Sequence, residues 1–350
     1  MPPQHHLHGL DLLRFFAAVL VLLNHFAVYR ASVPEVTLVP DARAWPWLAP
    51  MIGTGAVGVE IFFVISGFVI AMSAEGRSGA RGAARFVMAR GWRILPALWI
   101  SGAISVAALW LTGADLLPLL PRFLHSALLL PVGPYIDGVV WSLVVEAVFY
   151  TWIALVILCG RTGRLLRVAL VIGGLSAVHL ALLLWATLGG MEVLQALLGR
   201  FPFKLLLLQH GVFFALGMMI HGSRRARPDI GMLCAMGVFA ALGLVDIALQ
   251  AGAGVGARVA SVLIWLLSLA VLIRSLHWDA PRRMQPVLRF LGDLSYPLYL
   301  NHYTTGMAVT FLLHRAGLSG GVALCAALVA VGLIGVLVLR AERAARARSR

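Results

Sequence analysis

Apolar runs of roughly eighteen residues or more recur from Leu10 to Arg340, separated by short polar links. Runs of that length read as transmembrane helices. The pattern predicts ten spans, at 10–30, 55–75, 94–112, 138–159, 165–187, 203–221, 230–250, 256–275, 287–313 and 318–340. The stretch 116–131 is shorter and predicts a re-entrant or interfacial helix, and the link between the seventh and eighth spans is rich in glycine. The expected fold is an all-α, polytopic membrane bundle. One transmembrane domain over 1–342 is expected, then a basic tail at 343–350, with no fused soluble domain. The first run starts at Leu10 with no small-residue cleavage pattern after it, so it reads as a retained helix rather than a signal peptide.

Composition agrees with this pattern. Of the 350 residues, 61% are apolar and 12% charged, about half the charge of an ordinary soluble domain. The net charge of +14 raises nucleic acid as a partner, but the basic residues sit in short clusters between apolar runs, where they set topology. With both termini inside, twenty of the 28 basic side chains fall on the inner face, seven on the outer, and Arg14 lies within the first span. The bias alternates link by link, as the positive-inside rule requires. Cys159, Cys234 and Cys325 are scattered singly with no metal spacing, so they read as small packing residues and no metal is expected. The histidines at 5, 6 and 8 suit adventitious metal binding at a terminus. The ratio of 27 arginines to one lysine and the abundance of alanine suggest a bacterium with a GC-rich genome.

Ionisable side chains inside a span cost on the order of 2.5–3.5 kcal/mol each at its centre, so each raises a functional question. Arg14 and His25 share the first span. Eleven residues turn a helix through about 1,100° and advance it about 16 Å, so both lie on one face, Arg14 near the inner end and His25 in the outer half. The plainer alternative has Arg14 reaching to the interface and His25 hydrogen-bonded within the bundle. Glu60, Glu146 and His302 lie in the outer halves of the second, fourth and ninth spans. Two carboxylates and two histidines thus converge in depth, either for chemistry or as interhelical hydrogen bonds. At the opposite level, Arg90 and Arg93 precede the third span. With Arg14 they place three guanidiniums near the inner face, suited to phosphate or to ordinary anchoring. His179, His210 and His221 suggest no role from spacing, and Asp246 is consistent with packing or with proton chemistry.

These motifs, in this order, are familiar. Leu10–Asp11–Leu12–Leu13–Arg14 is followed by His25, and Gly58–Val59–Glu60 runs into Ser66–Gly67–Phe68. Arg90-x-x-Arg93 precedes Leu95–Pro96, and Trp141–Ser142 leads to Glu146 and Tyr150. Leu291–Gly292–Asp293 leads to Ser295–Tyr296–Pro297, Tyr299 and His302. The chain resembles acyltransferase family 3, membrane proteins that O-acylate surface glycans and other exported acceptors. Glu60 stands where the family more often has Asp, and 160–286 carries no matching motif.

The resemblance implies transfer, acetyl most simply, from cytoplasmic acyl-CoA to a hydroxyl of a glycan or glycolipid at the outer face of a bacterial inner membrane. Arg14, Arg90 and Arg93 would hold the coenzyme A phosphates. His25 would act as general base or be acylated itself, with Glu146 or Glu60 orienting it. Ser142, Tyr299 or a backbone N–H would hold the oxyanion, with Trp141 and His302 on the substrate side. Acyl-CoA is then a co-substrate, with no permanently bound cofactor and no nucleic acid partner. A transporter of a glycan lipid, acyl group or proton-coupled solute also needs intramembrane His, Glu and Arg. It further predicts paired broken helices in repeated halves, and the sequence shows no such duplication.

Overall fold

A computed structural model describes residues 6–27, 48–251 and 254–348. His5, Arg30, Arg43 and Arg350, used above in reading the terminal histidines and the charge bias, lie outside the described residues, as does part of the Gly-rich link. The described residues form fourteen α-helices and no strand. They are α1 (His8–Ala27), α2 (Val57–Ala74), α3 (Gly79–Leu111), α4 (Leu116–Ala127), α5 (Val140–Leu158), α6 (Leu165–Leu188) and α7 (Glu192–Leu198). Then come α8 (Phe201–Leu205), α9 (Gly211–Ser223), α10 (Ile230–Gln250), α11 (Val255–Ser275), α12 (Gln285–Asn301), α13 (Thr304–Arg315) and α14 (Gly320–Arg348).

Eight of these helices are long and apolar enough to cross a membrane: α1, α2, α3, α5, α6, α10, α11 and α14. The other two predicted spans also hold helices, but interrupted ones. The span expected at 203–221 is the short α8, an irregular stretch and α9. The span expected at 287–313 is α12 and α13, broken at His302–Tyr303. The helix that carries the third expected span begins before it, since α3 runs unbroken from Gly79 through Pro96. The segment at 116–131 is the amphipathic α4.

The described chain divides into two compact units. Unit one takes its described residues from 1–58, 91–143 and 267–350. In it α1 lies along α12, and α14 packs on α12 and α13. Small residues permit these close approaches, because packing rather than water exclusion drives helix association in lipid. A Cβ on Gly292 would come within 2.6 Å of the Asp11 side chain, so α12 tolerates only glycine against α1 there.

The break at His302–Tyr303 lies in a buried stretch, where backbone polar groups must find internal partners. Asp137 supplies them. Its Oδ2 accepts the Thr304 N–H at 3.0 Å and its Oδ1 the Val139 N–H at 3.0 Å, tying the start of α13 to the start of α5. Asn301 donates through Nδ2 to Ser101 Oγ and to the Pro297 carbonyl, both at 2.8 Å.

Unit two comprises 59–90 and 144–266. Here α9 packs against α6 and α10. Its contact with α2 is closer still. A Cβ on Gly67 would overlap the Phe214 carbonyl, and one on Gly217 would overlap the Val64 carbonyl. The two backbones therefore touch through reciprocal glycines. The outward faces of α6 and α10 carry Val171, Leu175, Leu182, Leu233 and Val238, as lipid-facing helices do.

Candidate active site

In unit one, α1 carries both Arg14 and His25, with His25 in its last turn. His25 Nδ1 lies 2.7 Å from His302 Nε2, and His302 Nδ1 lies 2.7 Å from the Tyr299 carbonyl oxygen. A carbonyl only accepts, so His302 Nδ1 carries a proton. In the neutral ring His302 Nε2 is then an acceptor, and the proton between the two histidines belongs to His25 Nδ1. The remaining nitrogen, His25 Nε2, is left with its lone pair. The two rings are nearly parallel, 5.0 Å apart, and the Tyr303 ring lies 4.7 Å from His25 on a tilt. His302 is fully buried, whereas His25 is partly exposed.

Ser142 and Tyr299 meet in the same unit, their hydroxyl oxygens 2.7 Å apart. The Val139 carbonyl accepts from the Ser142 hydroxyl at 2.9 Å and from the Tyr299 hydroxyl at 3.4 Å. Both hydroxyl protons point to internal acceptors, and the pair braces α12 against the first turn of α5. Beside them Asp137 is buried. Burial pushes its carboxyl up to about 6, against the opposing pull of the Val139 and Thr304 bonds and of the Arg122 charge.

Toward the other end of α1, Arg14 Nη1 lies 3.9 Å from Asp11 Oδ1, one helical turn away. Asp11 Oδ2 is also 2.5 Å from His6 Nε2. Arg90 and Arg93 ride one face of α3 at a spacing of three residues. Arg90 donates to Ser73 Oγ at 2.9 Å and sits 5.8 Å from the centre of the Phe86 ring. All three arginines are partly exposed. Trp141, also partly exposed, sits in the first turn of α5.

In unit two, Glu146 Oε1 accepts from the Ser66 hydroxyl and, at 2.6 Å, from the Tyr150 hydroxyl. Residues from the Ser66–Gly67–Phe68 and Trp141–Ser142 motifs are thereby joined. Glu60 gathers with His210 and Asp246, all three buried, their ligand-type atoms within 4.8 Å of one another. A cavity of about 420 Å³ between α5, α6 and residues 206–208 contains none of the predicted site residues.

The structure thus joins His25 with His302, Ser142 with Tyr299, and Glu146 with Ser66 and Tyr150. Sequence reasoning passed over Asp137, quoted Ser66 and Tyr150 only as members of motifs, and gave His210 no role. Asp137 lies just before a span, where a carboxylate looks like an ordinary loop residue. His210 stands beside Gln209 in an apolar run, which hinted at no partner.

A family profile described as an acyltransferase domain matches residues 7–341. This chain belongs to acyltransferase family 3. Two curated relatives are similar to it. Nodulation protein 10 of Rhizobium leguminosarum bv. viciae is 31% identical over 177 residues, which cover 41% of this chain and 42% of that protein. The exopolysaccharide production protein ExoZ of Rhizobium meliloti (strain 1021) is 29% identical over 298 residues, which cover 81% and 86% respectively. No solved structure shows a significant match. The chain is therefore an integral membrane acyltransferase, and the transporter reading gives way to an enzyme.

Proposed function

We propose that this acyltransferase moves an acyl group, acetyl foremost, from cytoplasmic acyl-CoA to a hydroxyl of a surface or exported glycan at the outer face of a bacterial inner membrane. The observation that carries the reading is the hydrogen-bonded series from the Tyr299 carbonyl through His302 to His25, which leaves a basic nitrogen on a partly exposed imidazole. The exopolysaccharide in the name of one relative supports a polysaccharide acceptor. The arginine bias toward the inner links, the termini among them, supports a cytoplasmic donor.

In this reading His25 Nε2 takes the proton of the acceptor hydroxyl as its oxygen attacks the thioester carbonyl. The tetrahedral intermediate collapses, the C–S bond breaks and the ester remains. The departing thiolate takes the proton back from the His25 imidazolium. His302 is the positioning residue, accepting from His25 Nδ1 before and after proton transfer, the duty a carboxylate performs in other acyl-transfer sites. Glu146 is retained as a catalytic carboxylate, one oxygen fixed by two hydroxyls. Neither Ser142 nor Tyr299 is assigned the oxyanion, since each donates its proton elsewhere. Arg14 and Arg93 are assigned to the donor phosphates, with Arg90 on the same face of α3 as Arg93.

Purified protein given labelled acetyl-CoA should release free coenzyme A when an exported glycan fraction is present. His25→Ala should lower turnover by about 10²–10⁴-fold while the protein stays folded and inserted. Arg14→Ala and Arg93→Ala should instead raise the KM for acetyl-CoA. An active His25→Ala variant removes His25 from the chemistry, and unaltered donor binding in both arginine variants removes the phosphate contacts. Mass spectrometry of surface glycans from cells with and without the protein then identifies the acceptor.

A further inference from the structure

Glu60, His210 and Asp246 form a second constellation that the acyl-transfer reading does not use. They come from three elements of unit two: the first turn of α2, the residue before α9, and the last third of α10. All three are buried, Glu60 to 96% and the other two completely. Their ligand-type atoms lie within 4.8 Å of one another, a spacing that modest side-chain adjustment closes around one ion at about 2.0–2.2 Å per bond.

Two further observations point to a ligand. Glu60 Oε2 has no hydrogen-bond partner among the described residues, and neither has Gln209 Oε1. A buried carboxylate oxygen in that condition is costly. Gln209 Nε2 donates to Asp246 Oδ1 at 3.2 Å and Gln250 Nε2 donates to Asp246 Oδ2 at 2.7 Å. Each Asp246 oxygen keeps a second lone pair, so these amides act as orienting partners behind a metal ligand. The surrounding backbone fits as well. Residues 206–210 are non-helical within an apolar run, with Leu207 at φ 63°. Ser176 stabilises that stretch by accepting the Val212 N–H at 3.1 Å and donating to the Gln209 carbonyl at 3.4 Å. Irregular backbone at membrane depth is a recurrent setting for cation sites.

We propose that Glu60, His210 and Asp246 form a binding site for one divalent first-row cation of zinc type, clipping the start of α2 and the approach to α9 onto α10. Two carboxylates neutralise a dication, so the complex is far less costly to bury than either carboxylate alone. Oxygen and imidazole donors without thiolate suit zinc or manganese and disfavour soft copper(I). The competitor is Lys204 on α8, whose ammonium acts electrostatically on all three residues. A bound dication replaces part of that counter-charge. The spacing of cysteines and histidines in the sequence could not disclose such a site, because its ligands lie about 150 and 36 residues apart.

The test is equilibrium dialysis of the purified full-length protein against ⁶⁵Zn²⁺. A His6→Ala/His8→Ala background removes the His6–His8–Asp11 group at the N-terminus, which is also close enough to hold an ion. One zinc per chain is expected. Asp246→Asn, Glu60→Gln and His210→Ala should each weaken binding at least tenfold. Lys204→Met should tighten it severalfold, a gain that misfolding does not produce. Less than a tenth of a zinc per chain in the background protein overturns the proposal. So does unchanged affinity in Lys204→Met together with Asp246→Asn. None of these readouts depends on acyl transfer, so the site stands or falls separately from the reaction.

Discussion

At the scale of single residues, the decisive arrangement is the proton order imposed by the Tyr299 carbonyl. Because His302 must donate to it, His25 must donate to His302, and the free lone pair of His25 lies on Nε2. His302→Ala removes that constraint and lets His25 adopt the wrong tautomer. Turnover should fall about 100-fold with little change in the KM for acyl-CoA. His302→Gln retains an amide oxygen that can accept from His25 Nδ1, and it should recover part of the loss. Coenzyme A release measures both, and equal loss in the two variants would point to a packing role instead. His25 and His302 were both legible in the sequence, from depth and from motif. Their bond was not, since they lie 277 positions apart. The carboxylates illustrate the converse. Matched depth suggested that Glu60 or Glu146 orients His25, but depth carries no azimuth; within unit two Glu146 bonds to Ser66 and Tyr150, and Glu60 gathers with His210 and Asp246.

At the scale of elements, one contact in each unit holds helices that carry candidate residues. The first is the reciprocal glycine contact of α2 with α9. Gly67→Ala and Gly217→Ala each force a methyl group into a facing carbonyl, and overpacking of this kind costs about 1–3 kcal/mol. Thermal denaturation in detergent should show a lowered midpoint for each, and an unchanged midpoint would mean that the helices separate freely. The motif Ser66–Gly67–Phe68 is explained by this contact and by the Ser66 bond to Glu146. The second is Asp137 at the break between α12 and α13. Its carboxyl is raised from 3.8 to about 6, chiefly by burial. Between those values the folded protein holds a proton that the unfolded chain has released, so stability falls as pH rises from about 4 to 6 and then levels off. Asp137→Asn should abolish that slope in a pH series of melting midpoints. It should also lower stability at low pH, because an amide nitrogen cannot accept one of the two backbone N–H groups. Hydropathy drew 203–221 and 287–313 each as one continuous span, where the chain instead forms two helices with a break between them. A window of nineteen or so residues averages over a break of a few, and the groups that make the breaks tolerable, Asp137 and Ser176, belong to other parts of the chain.

At the scale of the whole molecule, an even number of crossings returns the C-terminus to the side of the N-terminus. Ten crossings with the arginine-rich links inside predict that a fluorescent protein fused after Arg350 is bright and that alkaline phosphatase fused there is silent. The opposite pair of results would invert the assignment of donor and acceptor faces. The +14 charge, first a candidate mark of nucleic acid, is of the kind that basic links beside membrane helices carry.

Hydrophobic period, charge bias and the order of short motifs were enough, without coordinates, to establish an all-helical membrane protein and its family, and to nominate the candidate residues. They suffice because transfer from water to lipid acts on each segment almost independently of the others, so it is written along the chain. Which residues touch is a different kind of quantity. The pairing of His25 with His302, the reciprocal glycines and the meeting of Glu60, His210 and Asp246 depend on the rotation and register of helices that are distant in sequence. Those are set by the packing of the bundle as a whole, and only the tertiary structure carries that information.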